Sequence, residues 1–389
     1  MNMFICLFTA ISCKRYAVLF AGSKSWANYR HQADICTFYK SLLNRGFSKS
    51  EITLMMYDDL ATSTYNPFSG QIFHELSHVN VYPGSDAINY RGDDVTADNF
   101  YKVLTSLPST AEDYVFVFYD NHGGPDTLDD PTGGKIRTTP LNEALNQMYI
   151  KRLYKYCFFG IEACYSGSLA EKFTAPNMAI ITAANEKESS YAAIYDSSLS
   201  ASLTNEFTRY WLEEMDRNPT QTISDFYYKL KENIHGSHVM YYGNEDMKKI
   251  AIDNFLGIPK TQKASIKSYS IIDTLPQREA TETSLRWMEK VDKMRKFEGT
   301  SLRKQLEEQT MKLDRTLSKI VKIIDPENYE WIMKDRESPL TEEFQKVLDV
   351  FYVKFGKMNP DDLGKMMVLK ALTKNHSSAE IIRVINQVL

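Results

Sequence analysis

The chain has 389 residues, of which 43% are hydrophobic and 25% charged, with 46 basic and 50 acidic side chains for a formal charge of −4. That size exceeds one ordinary core and points to two folded parts, while the composition excludes a disordered or low-complexity protein. A near-neutral balance leaves no basic footprint for nucleic acid.

The first thirteen residues, "MNMFICLFTAISC", are apolar, end in small residues and read as a secretory signal, although the usual basic start is missing. Beyond them no apolar run is long enough to span a bilayer. Strand candidates then follow: "YAVLFAG" (16–22), "EITLMMYD" (51–58), "YVFVFYD" (114–120), "YCFFGIEA" (156–163) and "MAIITAA" (178–184). They are apolar throughout rather than alternating, as strands covered on both faces are. Amphipathic stretches such as "HQADICTFYKSLLNRG", "ADNFYKVLTSL" and "LNEALNQMYIKRLYK" separate them. Strands alternating with helices predict an α/β fold with a mostly parallel sheet. In such sheets binding crevices lie beyond the carboxyl ends of the strands. Those ends carry "GSKSWANYRH", "DD", "NHGGP", "EACYSGS" and "NEKESSY".

The character changes after "NFLGIP" (254–259). Residues 259–283 lack a clear period and read as a linker. In the last part, 284–389, Leu302, Leu306, Leu313, Leu317, Ile320, Val321 and Ile324 keep helical spacing, and "TEEFQKVLDVFYVKF", "GKMMVLKALT" and "SAEIIRVINQVL" add further helical patterns. This predicts a small all-α bundle. Residues 259–389 hold 24 basic and 20 acidic side chains, so the two parts carry opposite net charge. From that we expect a basic bundle docked on an acidic face through carboxylates of depressed pKa, released as pH falls.

Five cysteines at 6, 13, 36, 157 and 164 form no CxxC or zinc spacing, and an odd number argues against a disulfide framework. Cys164 and His122 each follow an apolar strand of the same predicted sheet. A neighbouring imidazole activates a thiol by taking its proton. Glycines after the histidine leave room for a substrate backbone, and the amides of Gly123 and Cys164 are candidates for an oxyanion hole. Taken singly, a strand-end cysteine is commonly packing and a histidine before Gly-Gly commonly a turn residue.

"VFVFYDNHGGP" and "FFGIEACYSGS" resemble the His-Gly and Glu-Ala-Cys-x-Ser-Gly-Ser blocks of the legumains, asparaginyl endopeptidases of caspase-like fold. "WANYRHQADICTFY", "TAANEKESSYA" and "GSHVMYYGN" resemble further blocks in the same order, over about residues 14–258. The helical remainder resembles, more loosely, the C-terminal prodomain that inhibits the zymogen. The resemblance implies Cys164 as nucleophile, His122 as general base and Asn28 as the residue that orients it. It places Arg30, His31, Glu162, Ser189, Ser190 and Asn205 in the pocket for the P1 side chain. A carboxamide has one acceptor and two donor hydrogens, and a guanidinium with a carboxylate satisfies both ends.

The implied activity is cleavage after Asn, and after Asp in acid, on protein and peptide substrates, without metal or other cofactor. Maturation would cut after Asn254 or Asp273, in a lysosome-like or vacuolar compartment or after secretion, and cystatin-type inhibitors would be partners. The chain departs from the pattern at Asn121, where the family has Asp beside the histidine, with Asp120 one step earlier. It also has Asn205 where an acid aligns, so the pocket is expected to have lost a negative charge. A glycolipid-anchor transamidase and a non-catalytic caspase-like module stay open as alternatives. "HELSH" (74–78) matches a zinc signature but falls in a loop context; His74 and His78 would be the ligands of a zinc peptidase. "RGD" (91–93) lies at a helix entrance, His235 and His238 read as structural, and Asn375 opens a glycosylation sequon.

Overall fold

The computed structural model describes residues 13–260, 274–276, 298–335, 341–356, 358 and 360–389. The signal reading for 1–13 and the candidate cut at Asp273 therefore fall outside the described residues, except for Cys13. In chain order the strands are β1 (Arg15–Ala21), β2 (Ile52–Met56), β3 (Tyr90–Arg91), β4 (Tyr114–Asp120), β5 (Gly123–Gly124), β6 (Thr127–Asp129), β7 (Lys135–Arg137), β8 (Tyr156–Glu162), β9 (Met178–Thr182), β10 (Tyr191–Asp196), β11 (Ala201–Asn205), β12 (Met240–Gly243) and β13 (Thr274–Pro276). The helices are α1 (Tyr29–Asn44), α2 (Ala97–Thr105), α3 (Thr138–Ile150), α4 (Gly167–Ala170), α5 (Glu206–Arg217), α6 (Ile223–Asn233), α7 (Asp253–Leu256), α8 (Glu298–Ile324), α9 (Tyr329–Lys334), α10 (Glu342–Phe355), α11 (Met367–Leu372) and α12 (Ser378–Val388).

A seven-stranded sheet in the order β12-β9-β8-β4-β1-β2-β3 forms the centre, parallel except for β12. All five strands expected from the sequence lie in it. Their unbroken apolarity follows from cover on both faces: in β4, Phe116 and Phe118 enter one core while Val115, Val117 and Tyr119 enter the other. Trp211 of α5 anchors the first core, its indole 4.9 to 6.4 Å from the rings of Phe38, Phe116, Phe118, Phe158, Phe207 and Phe226. Gly160 in β8 makes room for this cluster, because a Cβ there would lie 2.5 Å from Phe118 and 3.0 Å from Trp211.

The C-terminal helices enclose a core of their own. Leu313, Leu317, Ile320 and Val321 are buried at the expected helical spacing, with Phe344, Phe351, Leu369 and Ile381. The bundle sits on the edge of the sheet that carries the strand ends. Leu363 fills the space over Gly124, Gly364 approaches the Tyr165 hydroxyl, and Met367 packs on Cys164 and Tyr165. Lys135 stands over the Tyr352 ring at 5.3 Å, and Arg137 pairs with Asp349 at 2.8 Å.

Two expectations are corrected here. The charges across this contact run both ways: Arg137–Asp349 pairs a base of the sheet part with an acid of the bundle, while Lys370 acts on Glu171 in the expected sense. Burial outweighs Arg137 and pushes the Asp349 carboxyl up, and the Glu171 carboxyl is raised as well. Neither carboxyl therefore shows the depressed pKa on which the expected acid release rests. The linker also contains a strand its sequence gave no sign of. β13 pairs antiparallel with β10, Ala192 opposite Leu275, through backbone groups that need no side-chain period.

Replacing Gly160 by Ala forces the Phe118 and Trp211 rings apart. The expected cost is about 1–3 kcal/mol of stability, read as a lower midpoint in guanidinium unfolding.

Candidate active site

Parallel pairing of β4 with β8 sets the geometry. Their register runs to Asp120 opposite Glu162, and the Asn121 amide still donates to the Glu162 carbonyl at 3.0 Å. Two residues on, both chains leave the sheet, so His122 and Cys164 follow neighbouring strand ends. The backbones nearly touch: a Cβ on Gly123 would lie 2.4 Å from the Cys164 carbonyl oxygen, so only glycine fits.

His122 is buried, and burial followed by the charges of Arg30 and Lys135 holds its pKa well below the usual value, so the ring is neutral. Asn28 fixes its tautomer. The Asn28 Nδ2 donates to the Lys24 carbonyl at 2.9 Å, which turns Oδ1 toward His122 Nε2 at 2.7 Å. Nε2 therefore carries the hydrogen and Nδ1 the lone pair. The Cys164 thiol is 9% exposed, and burial pushes its pKa up to about 11 against hydrogen bonds with Ser189 and Ser190 that lower it. Thiol and imidazole are thus both neutral in this state. Cys164 clusters with Tyr165 and with Met367 of α11, a side chain of the bundle and not of the core beneath the sheet.

Behind them lies a buried polar wall. Arg30 and His31 open α1, Glu162 ends β8, Asn205 ends β11, and each is at most 1% exposed. Arg30 Nε donates to Asn205 Oδ1 at 2.9 Å, and the Ser190 hydroxyl donates to Glu162 Oε1 at 2.5 Å. Glu162 Oε2 and His31 Nε2 have no hydrogen-bond partner among the described residues. Burial, and then the charge of Asp34 against that of Arg30, raises the Glu162 carboxyl. Ser189 lies half-buried beside the thiol. The expected residues thus come together, except the cleavage candidates. Asn254 sits half-buried in α7, its Nδ2 bonded to the Ala251 carbonyl at 3.1 Å.

Sequence reading missed Asp34 and Thr208, and noted Asp120 without placing it in this wall. Asp120 accepts from Asn205 Nδ2 at 2.8 Å and from Thr208 at 2.7 Å, so the wall did not lose the acid that Asn205 lacks. The two histidines of "HELSH" are in a loop and turn to different acids, His74 to Asp34 at 2.8 Å and His78 to Asp196 at 2.5 Å. Arg91 of "RGD" pairs with Asp58 at 2.6 Å, and Thr96 caps α2 just after it. His238 pairs with Glu188 at 2.8 Å, the His235 amide faces Glu206, and Asn375 is exposed.

A mostly parallel α/β sheet with a cysteine and a histidine at adjoining strand ends defines a class, the proteins built around a thiol–imidazole pair. Residues 15–258 match the model of the Peptidase C13 family, and the chain belongs to that family. Legumain of Homo sapiens is 34% identical over 269 residues, 65% of this chain and 62% of its own. The vacuolar-processing enzyme delta-isozyme of Arabidopsis thaliana is 33% identical over 271 residues, 62% of this chain and 58% of its own. GPI-anchor transamidase of Saccharomyces cerevisiae is 32% identical over 246 residues, 59% of this chain and 60% of its own. The matched stretch covers about three-fifths of each relative's length.

With its pKa near 11, Cys164 is ionised to about one part in a thousand at pH 8. Iodoacetamide should label it far more slowly in the folded chain than in the chain denatured by guanidinium, by peptide mass spectrometry. Met367→Ala removes a side chain from the Cys164 cluster and should speed labelling of the folded chain about tenfold, leaving the denatured rate unchanged.

Proposed function

We propose that this chain is a cysteine endopeptidase that cleaves on the carboxyl side of asparagine, and more slowly of aspartate in acid. The observation that carries the reading is the wall behind the thiol, where Glu162 Oε2 and His31 Nε2 are buried without partners beside the Arg30 guanidinium. A primary carboxamide satisfies that set when Glu162 is ionised: its oxygen accepts from the guanidinium and its two hydrogens go to the unfilled acceptors. An apolar side chain leaves them unpaired, which is costly.

His122 Nδ1 takes the Cys164 proton as sulfur attacks the scissile carbonyl. The amides of Gly123 and Cys164 hold the oxyanion, and the imidazolium returns the proton to the leaving amine. Water, deprotonated by the same ring, then hydrolyses the thioester and frees Cys164. The C-terminal helices act as an inhibitor in the precursor, with Leu363 and Met367 where a peptide has to lie. Cuts at Asn254 or Asp273 would separate the parts, the first only after α7 unwinds. The name of the Arabidopsis relative supports a vacuolar or lysosome-like compartment.

The yeast relative favours a second reading, acyl transfer to an amine in place of water, although no described helix is long and apolar enough to cross a membrane. Fluorogenic peptides with P1 Asn, Asp, Gln and Arg, with and without hydroxylamine, test both. Hydrolysis after Asn that vanishes in Cys164→Ala supports the peptidase, and product formed only with hydroxylamine supports transfer. Because the Glu162 carboxyl is raised, it keeps its proton above the ordinary carboxylate range and can donate to a P1 carboxylate. The Asp-to-Asn rate ratio should therefore fall as pH rises and Glu162 ionises.

A further inference from the structure

Asn205 is held between two carboxylates. Its Nδ2 lies 3.0 Å from Asp34 Oδ2, 2.8 Å from Asp120 Oδ1 and 3.2 Å from His31 Nδ1, and its backbone amide donates to the same Asp34 oxygen at 3.0 Å. Its Oδ1 accepts from Arg30 Nε, a group that only donates, so the amide has one possible orientation. Asp34, Asp120 and Asn205 are all fully buried. A carboxylate at 205 would put a like charge against both acids.

Asp120 has a second neighbour. Its Oδ1 is 2.6 Å from His31 Nδ1, while Oδ2 accepts from Thr208. His31 is neutral, because burial and then Arg30 and His122 hold its pKa well below the usual value. A neutral imidazole carries one hydrogen, and the partner of one nitrogen decides the character of the other. An ionised Asp120 draws that hydrogen to Nδ1 and leaves Nε2, the unpartnered nitrogen, as an acceptor. A protonated Asp120 donates to Nδ1 and moves the hydrogen to Nε2, which becomes a donor.

We propose that Asp120 decides which P1 side chain the pocket takes by setting the tautomer of His31, and that Asn205 is the neutral spacer this requires. The inference rests on the reading of Arg30, His31 and Glu162 as the P1 pocket. With Nε2 an acceptor the pocket fits the amide hydrogens of asparagine; with Nε2–H it fits the carboxylate oxygen of aspartate. The groups facing Asp120 favour its protonated form: burial, then the charges of Asp34 and Glu162 and a hydrogen bond with Asp34, raise its carboxyl well above the usual range against the Thr208 hydroxyl. Asp34, itself 2.8 Å from His74, is a positioning residue that anchors Asn205.

The tautomer is read directly by nitrogen-15 spectra of histidine-labelled full-length Cys164→Ala protein. The expected result is His31 with its hydrogen on Nδ1 near pH 8, and on Nε2 in Asp120→Ala, where the Asn205 Nδ2 donor at 3.2 Å is left facing Nδ1. Acidifying the chain without the Asp120 change should move the same hydrogen to Nε2 before the ring becomes cationic, which needs no altered fold. In the active chain, acid-treated until its rate is constant, Asp120→Ala should raise the Asp-to-Asn kcat/KM ratio about tenfold near pH 8, where the unaltered chain holds the His31 hydrogen on Nδ1. Asn205→Asp should lower the Tm, and adding Asp120→Asn should recover part of that loss. A His31 tautomer indifferent to Asp120 and to pH, or equal loss on both substrates, overturns the proposal. A wild-type chain that cleaves neither substrate overturns the P1 reading instead, and the spectra still decide the tautomer.

Discussion

β4 and β8 run parallel and in register from Tyr114 opposite Tyr156 to Asp120 opposite Glu162. Because both strands stop at the same level, whatever follows each is delivered side by side. Alternation then sorts the last residues by face. Asp120 and Glu162 turn toward α1 and α5, where Arg30, His31, Asn205 and Thr208 meet them. Asn121 turns the other way, its Nδ2 binding the carbonyls of Gly22 and Asp129. One pairing therefore positions the thiol and the imidazole, and it also gathers buried acids behind them.

Burying several carboxyls at one point is unfavourable unless each finds donors or keeps its proton. Here the donors come from parts of the chain far apart in sequence: Ser190 for Glu162, Thr208 for Asp120, and the backbone and side chain of Asn205 for Asp34. The directions of the shifts agree with this economy of donors, since the Glu162 and Asp120 carboxyls are raised and the His31 and His122 rings stay neutral. The wall is polar but carries less charge than its residue types suggest.

How much of this the sequence disclosed depended on the range of the interaction involved. The five central strands were legible because cover on both faces writes an apolar run, and Cys164 and His122 because they stand where two such runs stop. β10, β11 and β12 were not, since short or half-buried strands such as "ASLTN" and "MYYG" leave little pattern. Asp34 was passed over, and Asp120 was not placed in the wall, because their partners lie 85 to 171 positions away, a distance no local period records. Net charge misled about the bundle, for the contact is made by Leu363 and Met367, and its ion pairs follow individual neighbours rather than totals.

The cluster of Met367 with Cys164 and Tyr165 has a consequence for how the sulfur meets oxidants. Oxidation of a cysteine by peroxide or by foreign disulfides needs an ionised, accessible sulfur, and the resting chain offers neither. A buried, protonated Cys164 resists peroxide and foreign disulfides in surroundings where a bare thiolate would be lost to sulfenic acid or mixed disulfide.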